Sequence, residues 1–118
     1  MKSLLITIVV ATLYNAVVEQ TDSSPLVTAS GAIINELCPE SHRWVAVSRD
    51  LLRKEGWEFG ECIKVQGADE MDGIWQIQDV MAARYMNSID FLVENDRKLG
   101  KWYGVKVTLI SGNYEAEI

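Results

Sequence analysis

The chain holds one histidine and two cysteines in 118 residues, and each scarcity closes off a class of chemistry. A single histidine, His42, cannot build an imidazole-based metal site, and no cluster of other ligands surrounds it. No metal and no cofactor is therefore expected. Cys38 and Cys62 match no metal or redox spacing. They read as two buried or half-buried thiols, with a single disulfide as the competing reading. Basic residues are also few: 11 Lys+Arg against 17 Asp+Glu leave a net charge of −6. That balance lacks the cationic footprint of a nucleic-acid binder. It suits a neutral or cationic partner, an uncharged glycan included.

No apolar run is long enough to span a bilayer, so no integral membrane segment is expected. The stretch from Leu4 to Ala11 follows Lys2 and has the look of a short signal-peptide core, but no small-x-small cleavage site comes after it. Its β-branched residues favour a buried strand instead. There is no internal repeat, linker or low-complexity segment. What remains is an ordinary globular balance, 48% hydrophobic and 24% charged, in a chain sized for one domain over residues 1–118. Residues 111–118 read as a polar tail.

The pattern along the chain is one of short strands between turn residues. The polar stretch Glu19 to Pro25 is a loop. Leu26–Ala29 reads as a second short strand, Asn35–His42 as a loop with His42 exposed, and Trp44–Ser48 as a third strand. Arg49–Lys54 makes at most a short helix, stopping before Gly56. Glu61–Gln66 and Ile74–Asp79 alternate as strands, joined by a hairpin turn in which Asp72-Gly73 supplies the positive φ. Ile89–Leu92 is another strand, Glu94–Trp102 holds a helical turn closing at Gly100, and Tyr103–Ile110 is the last strand. Six or so strands with one or two short helices predict an all-β, closed small barrel.

Within Ile74–Asp79, Gln76 and Gln78 point one way while Trp75, Ile77 and Asp79 point the other. Asp79 is thus placed at the end of an apolar face. Asp90 sits between Ile89 and Phe91, where burial raises a carboxyl pKa. Each aspartate has a competing reading as a cap for loop amides. Thr28 and Ser30 offer hydroxyls either to sugar or to their own turn. Of the four tryptophans, Trp75 is the candidate sugar-stacking face, against the commoner role of a barrel tryptophan as core.

Several segments taken in order resemble the three-aspartate (3D) domain. That domain belongs to the double-psi β-barrels found also in RlpA-like proteins, MltA-type lytic transglycosylases and, more distantly, expansins. They are Thr12-Leu13-Tyr14-Asn15-Ala16, Thr21 to Gly31, Arg43 to Leu52, Phe59-Gly60, Trp75 to Met81 and Ile89 to Leu92, with a closing strand after Tyr103-Gly104. The resemblance runs from about Thr12 to Ile110 and implies a six-stranded double-psi barrel whose first strand is the N-terminal apolar run. It matches Asp90 to the acid/base aspartate of such transglycosylases, and Asp79, eleven positions earlier, to the aspartate opening the family's Asp-x-Gly segment. Two departures stand out. Val80-Met81 replaces the glycines that follow that aspartate, and Ser48 occupies the place of the remaining one, with Asp50 nearby. The implied partner is the peptidoglycan glycan strand, in a bacterial envelope or extracellular setting or in a phage, and the implied activity is cleavage to 1,6-anhydro ends. A glycan-binding or structural barrel without turnover is the alternative.

Overall fold

In the computed structural model, residues 6–15, 26–35, 37–94, 96–98 and 100–110 are described. The loop expected at Glu19 to Pro25 and the polar tail expected at 111–118 lie outside them. Six strands close into one barrel: β1 (Thr7–Asn15), β2 (Trp44–Val47), β3 (Cys62–Gln66), β4 (Gly73–Val80), β5 (Ser88–Val93) and β6 (Lys101–Leu109). The only α-helix among the described residues is α1 (Arg49–Lys54), and 3-10 turns form at Pro39–His42 and Asp69–Met71. An all-β barrel with one short helix is what the strand pattern predicts.

Around the barrel the order is β1-β5-β2-β4-β3-β6. The pairs β1/β5 and β2/β4 are parallel, and the other four are antiparallel. Exchanging β1 with β4, β2 with β5 and β3 with β6 leaves every neighbour and every direction unchanged. The barrel is therefore two interlocked three-strand units, each making one parallel crossing, which is the double-psi arrangement. Parallel partners cannot be joined by a tight turn, so the chain crosses the barrel's ends between them.

Strand alternation decides what fills the interior. Val9, Ala11 and Leu13 of β1, Val45 and Val47 of β2, Ile89, Phe91 and Val93 of β5 and Val105, Val107 and Leu109 of β6 all point inward. Trp75 and Phe91 meet at the centre, ring centroids 4.6 Å apart and tilted by 43°. The Trp75 indole N–H donates to the Met71 carbonyl at 2.7 Å. Arg43, at a left-handed φ of 56°, lays its guanidinium over the Trp75 ring at 4.0 Å and closes that end of the core.

Two local expectations change and one holds. Leu26–Ala29 is no barrel strand: it contributes one isolated bridge, Val27 to Ile33, inside a compact loop. The expected β3–β4 hairpin forms, with Gly73 at a positive φ of 126°, and in its loop over residues 67–72 the Asp72 carboxylate accepts the N–H groups of Gly67 and Ala68. Among the described residues of 94–100, the Arg97 N–H bonds the Glu94 carbonyl in a turn, and β6 already starts at Lys101, two residues before the expected Tyr103.

Candidate functional site

Four outward positions line up across neighbouring strands. Thr12 on β1 opposes Asp90 on β5, Asp90 opposes Ala46 on β2, and Ala46 opposes Asp79 on β4. Residues in register share a face of the sheet. At about 4.8 Å per strand step, the two aspartate backbones stand about 10 Å apart across Ala46.

Asp79 reaches this row through a bulge. Trp75 and Ile77 point into the core, and strict alternation would send Asp79 after them. The β2–β4 register steps between Val45 and Ala46, which face Ile77 and Asp79 respectively. Gln78 is the extra residue, and from there the strand's facing is reversed. The aspartate predicted at the end of the inner apolar face therefore lies on the outer one.

That outer face is itself covered. The loop over residues 26–35 lays Leu26 and Ile34 onto Tyr14, Ala46, Met81, Leu92 and Trp44, forming a second, smaller apolar cluster outside the barrel. Burying Ile34 there stabilises the loop by about 1.5–3 kcal/mol. Ser30 fastens it to β4, its hydroxyl donating to Gln78 Oε1 at 2.6 Å and its N–H to the Gln78 carbonyl at 3.2 Å. Since the Ser30 proton goes to Gln78, the Thr28 hydroxyl donates to Ser30 Oγ at 2.9 Å and itself accepts the Ala32 N–H at 3.1 Å. Both hydroxyls are used in closing and docking this loop, the turn role of the two readings.

The two carboxylates have different surroundings. Asp79 Oδ1 accepts the N–H groups of Ala29 and Val80, each at 2.9 Å, and Oδ2 accepts the Tyr14 hydroxyl at 3.2 Å. Asp90 meets no backbone amide among the described residues; its Oδ1 accepts the Thr12 hydroxyl at 2.7 Å. Burial pushes the Asp90 pKa up to about 7, the Thr12 hydrogen bond opposes the rise, and the charge of Asp79 adds to it. Burial, and then the charges of Asp79 and Asp90, drive the Tyr14 pKa upward. Its hydroxyl therefore stays protonated and acts as a donor. Thr12 and Tyr14 escaped the strand reading as site residues. Their spacing of two on a β-branched strand, which puts both on one face, was the available signal.

Trp75 is fully buried, with one face under Arg43, so it offers no stacking surface to a ligand. His42 is half-buried instead of exposed: its ring stacks on Trp44 at 4.0 Å and its Nε2 accepts the Asn35 N–H at 2.9 Å. Asp50, the nearby substitute for the third family aspartate, serves the fold. Both its oxygens accept the Asn87 N–H, at 3.1 and 3.0 Å, and Ser48 Oγ accepts the Ser88 N–H, tying the start of α1 to the entry of β5. Neither cysteine forms a disulfide; Cys62 is buried and Cys38 exposed, so the half-buried reading fails for Cys38.

Among the described residues no group of three His, Cys, Asp or Glu side chains is placed to hold a metal ion. No helix among them is long and apolar enough to cross a membrane. The class this defines is a double-psi barrel carrying an outward, unequal pair of carboxylates under a docked loop. No family model matches the chain, and no curated protein or solved structure matches it either.

Proposed function

We propose that this barrel cleaves murein glycan strands in the manner of a lytic transglycosylase, with Asp90 as both acid and base. The observation that carries the reading is the Asp90 carboxyl, which has a pKa of about 7 on an outward strand face. About half of such groups hold a proton at neutral pH, the condition for donating it to a leaving glycosidic oxygen. Once deprotonated, Asp90 accepts the proton of the sugar's own 6-hydroxyl as that oxygen bonds to the anomeric carbon. The products are a free 4-hydroxyl on one fragment and a 1,6-anhydro ring on the other, with Asp90 protonated again. One carboxyl serves both steps, so the aspartate pair needs no glycosidase spacing.

Asp79 supports this cycle through its charge, which favours the protonated form of Asp90, and Tyr14 and the Ala29 amide hold it in position. Such a substrate implies a setting in a bacterial cell envelope or in the lysis or virion machinery of a phage. A second reading, a glycan-binding or scaffold barrel without turnover, is favoured by one feature: Asp79 accepts the Ala29 amide of the docked loop and the Val80 amide of its own strand, as a structural cap would.

Zymography on purified murein, wild type against Asp90→Asn, separates the readings when combined with mass analysis of the released ends. The cleavage reading expects 1,6-anhydro ends from the wild type and a loss of about 10²–10⁴-fold in the variant. Equal clearing by Asp90→Asn removes Asp90 from its role. Retention on murein with no clearing by either protein supports binding alone.

A further inference from the structure

The outward row does not stop at Thr12. On its other side Thr12 opposes Lys101 at the start of β6, so Lys101 stands two strands, about 10 Å, from Asp90 on the same face. Two residues on, Tyr103 is 71% exposed, and the Lys101 ammonium lies 5.2 Å from the centre of its ring. An exposed tyrosine in mid-strand has a local cause here. The next residue, Gly104, adopts a φ of 66°, and the β1–β6 register steps at this point, between Val9 and Ala11. A glycine in that left-handed region marks a bulge, and Trp102 turns inward toward Phe91, leaving Tyr103 outward. Past the bulge, Gln66, Gly67, Gly104 and Lys106 line a shallow depression that continues the face.

From this juxtaposition we infer that Lys101 and Tyr103 form a flanking subsite that selects carboxylate-bearing glycan, the tyrosine stacking on a sugar ring and the lysine pairing with an acidic substituent. The inference rests on the cleavage reading of Asp90 and names the substrate class of that site. Charge supplies the argument for the occupant. Although the net charge of −6 disfavours anions elsewhere, Lys101 and Lys106 are both exposed on this face, and such a local pair of cations attracts an acidic substituent. The lactyl carboxylate of murein saccharides, free on residues that carry no stem peptide, is the substituent that fits. Tyrosine contributes apolar area at small entropic cost, which suits the face of a pyranose.

The test compares two probes of equal length, a murein tetrasaccharide with free lactyl carboxylates and the uncharged N-acetylglucosamine tetramer. Both are titrated into the intact chain carrying Asp90→Asn, which prevents turnover. The charged probe should bind about threefold tighter, as expected for an exposed ion pair, with the difference shrinking between 50 and 300 mM salt. Lys101→Gln should erase the preference without weakening the neutral probe, and Lys101→Arg should restore it. Tyr103→Ala should weaken both probes about fivefold. These positions are exposed, so the variants keep the fold. A preference that survives Lys101→Gln, an unchanged affinity for both probes in Tyr103→Ala, or no binding of either probe overturns the inference. Failure of the cleavage reading has a different signature: the binding preference holds, while the wild type releases no anhydro ends from murein.

Discussion

The two halves of the barrel are equivalent in topology and opposite in chemistry. The exchange that maps β1 onto β4 and β2 onto β5 also maps Thr12 onto Asp79 and Ala46 onto Asp90, because Thr12 opposes Asp90 and Asp79 opposes Ala46 in the two parallel crossings. The first half thus places a hydroxyl and a methyl where the second half places two carboxylates. All four share one row on the outer face, but only the β2–β4 crossing needs a bulge, at Gln78, to bring its residue there. The neutral half serves the acidic one: Thr12 donates to Asp90, Tyr14 donates to Asp79, and small Ala46 leaves room between them.

Filling in the missing charge breaks this comparison most severely. Ala46 is buried in the outer cluster, so Ala46→Asp adds an unpaired buried anion between two others. It should cost about 3–5 kcal/mol by chemical denaturation at pH 8. Neutralising the acidic half acts in the other direction. The folded Asp90 pKa of about 7 lies above its ordinary 3.8, so its contribution to stability is full below pH 4 and is lost as pH rises towards 7. In that window each pH unit costs up to about 1.4 kcal/mol, reduced by the partial exposure of Asp90. Asp90→Asn should therefore flatten the pH dependence of stability and leave the protein about 2 kcal/mol more stable than wild type at pH 8. Tyr14→Phe removes the hydroxyl donor to Asp79 Oδ2 and should cost about 1 kcal/mol. Ser30→Ala removes the hydroxyl bond to Gln78 Oε1, leaves the main-chain bond in place, and should cost about 0.5–1 kcal/mol, with faster hydrogen exchange at the Ala29 amide as its local signature.

The barrel was legible because its staves are short, β-branched and punctuated, and because alternation alone sorts Val9, Ala11 and Leu13 from Thr12 and Tyr14. The aspartates were visible as candidates for the same local reason. Their relationship was not. Asp79 and Tyr14 are 65 positions apart, and the register that lines them up is a long-range property which no periodicity within a strand encodes. The bulge at Gln78 inverts the face that alternation assigns to Asp79. Trp75 looked like a sugar platform because composition cannot tell which tryptophan barrel closure will bury. For Thr28 and Ser30, sugar and turn stayed open as alternatives, because the loop's docking on β4, which engages their hydroxyls, depends on contacts about fifty residues away. The twofold relation between the halves leaves no repeat in the sequence at all.

The most direct test of the asymmetric pair is a carboxyl NMR titration of Asp90 in the wild type, Asp79→Asn and Thr12→Val. The Asp90 midpoint should fall near pH 7 in the wild type. It should move down when the charge of Asp79 is removed and up when the Thr12 hydroxyl is lost, opposite shifts from two neighbours of one group. A midpoint near pH 4 in all three proteins would mean that Asp90 is an ordinary solvated carboxylate, with no proton to give at neutral pH.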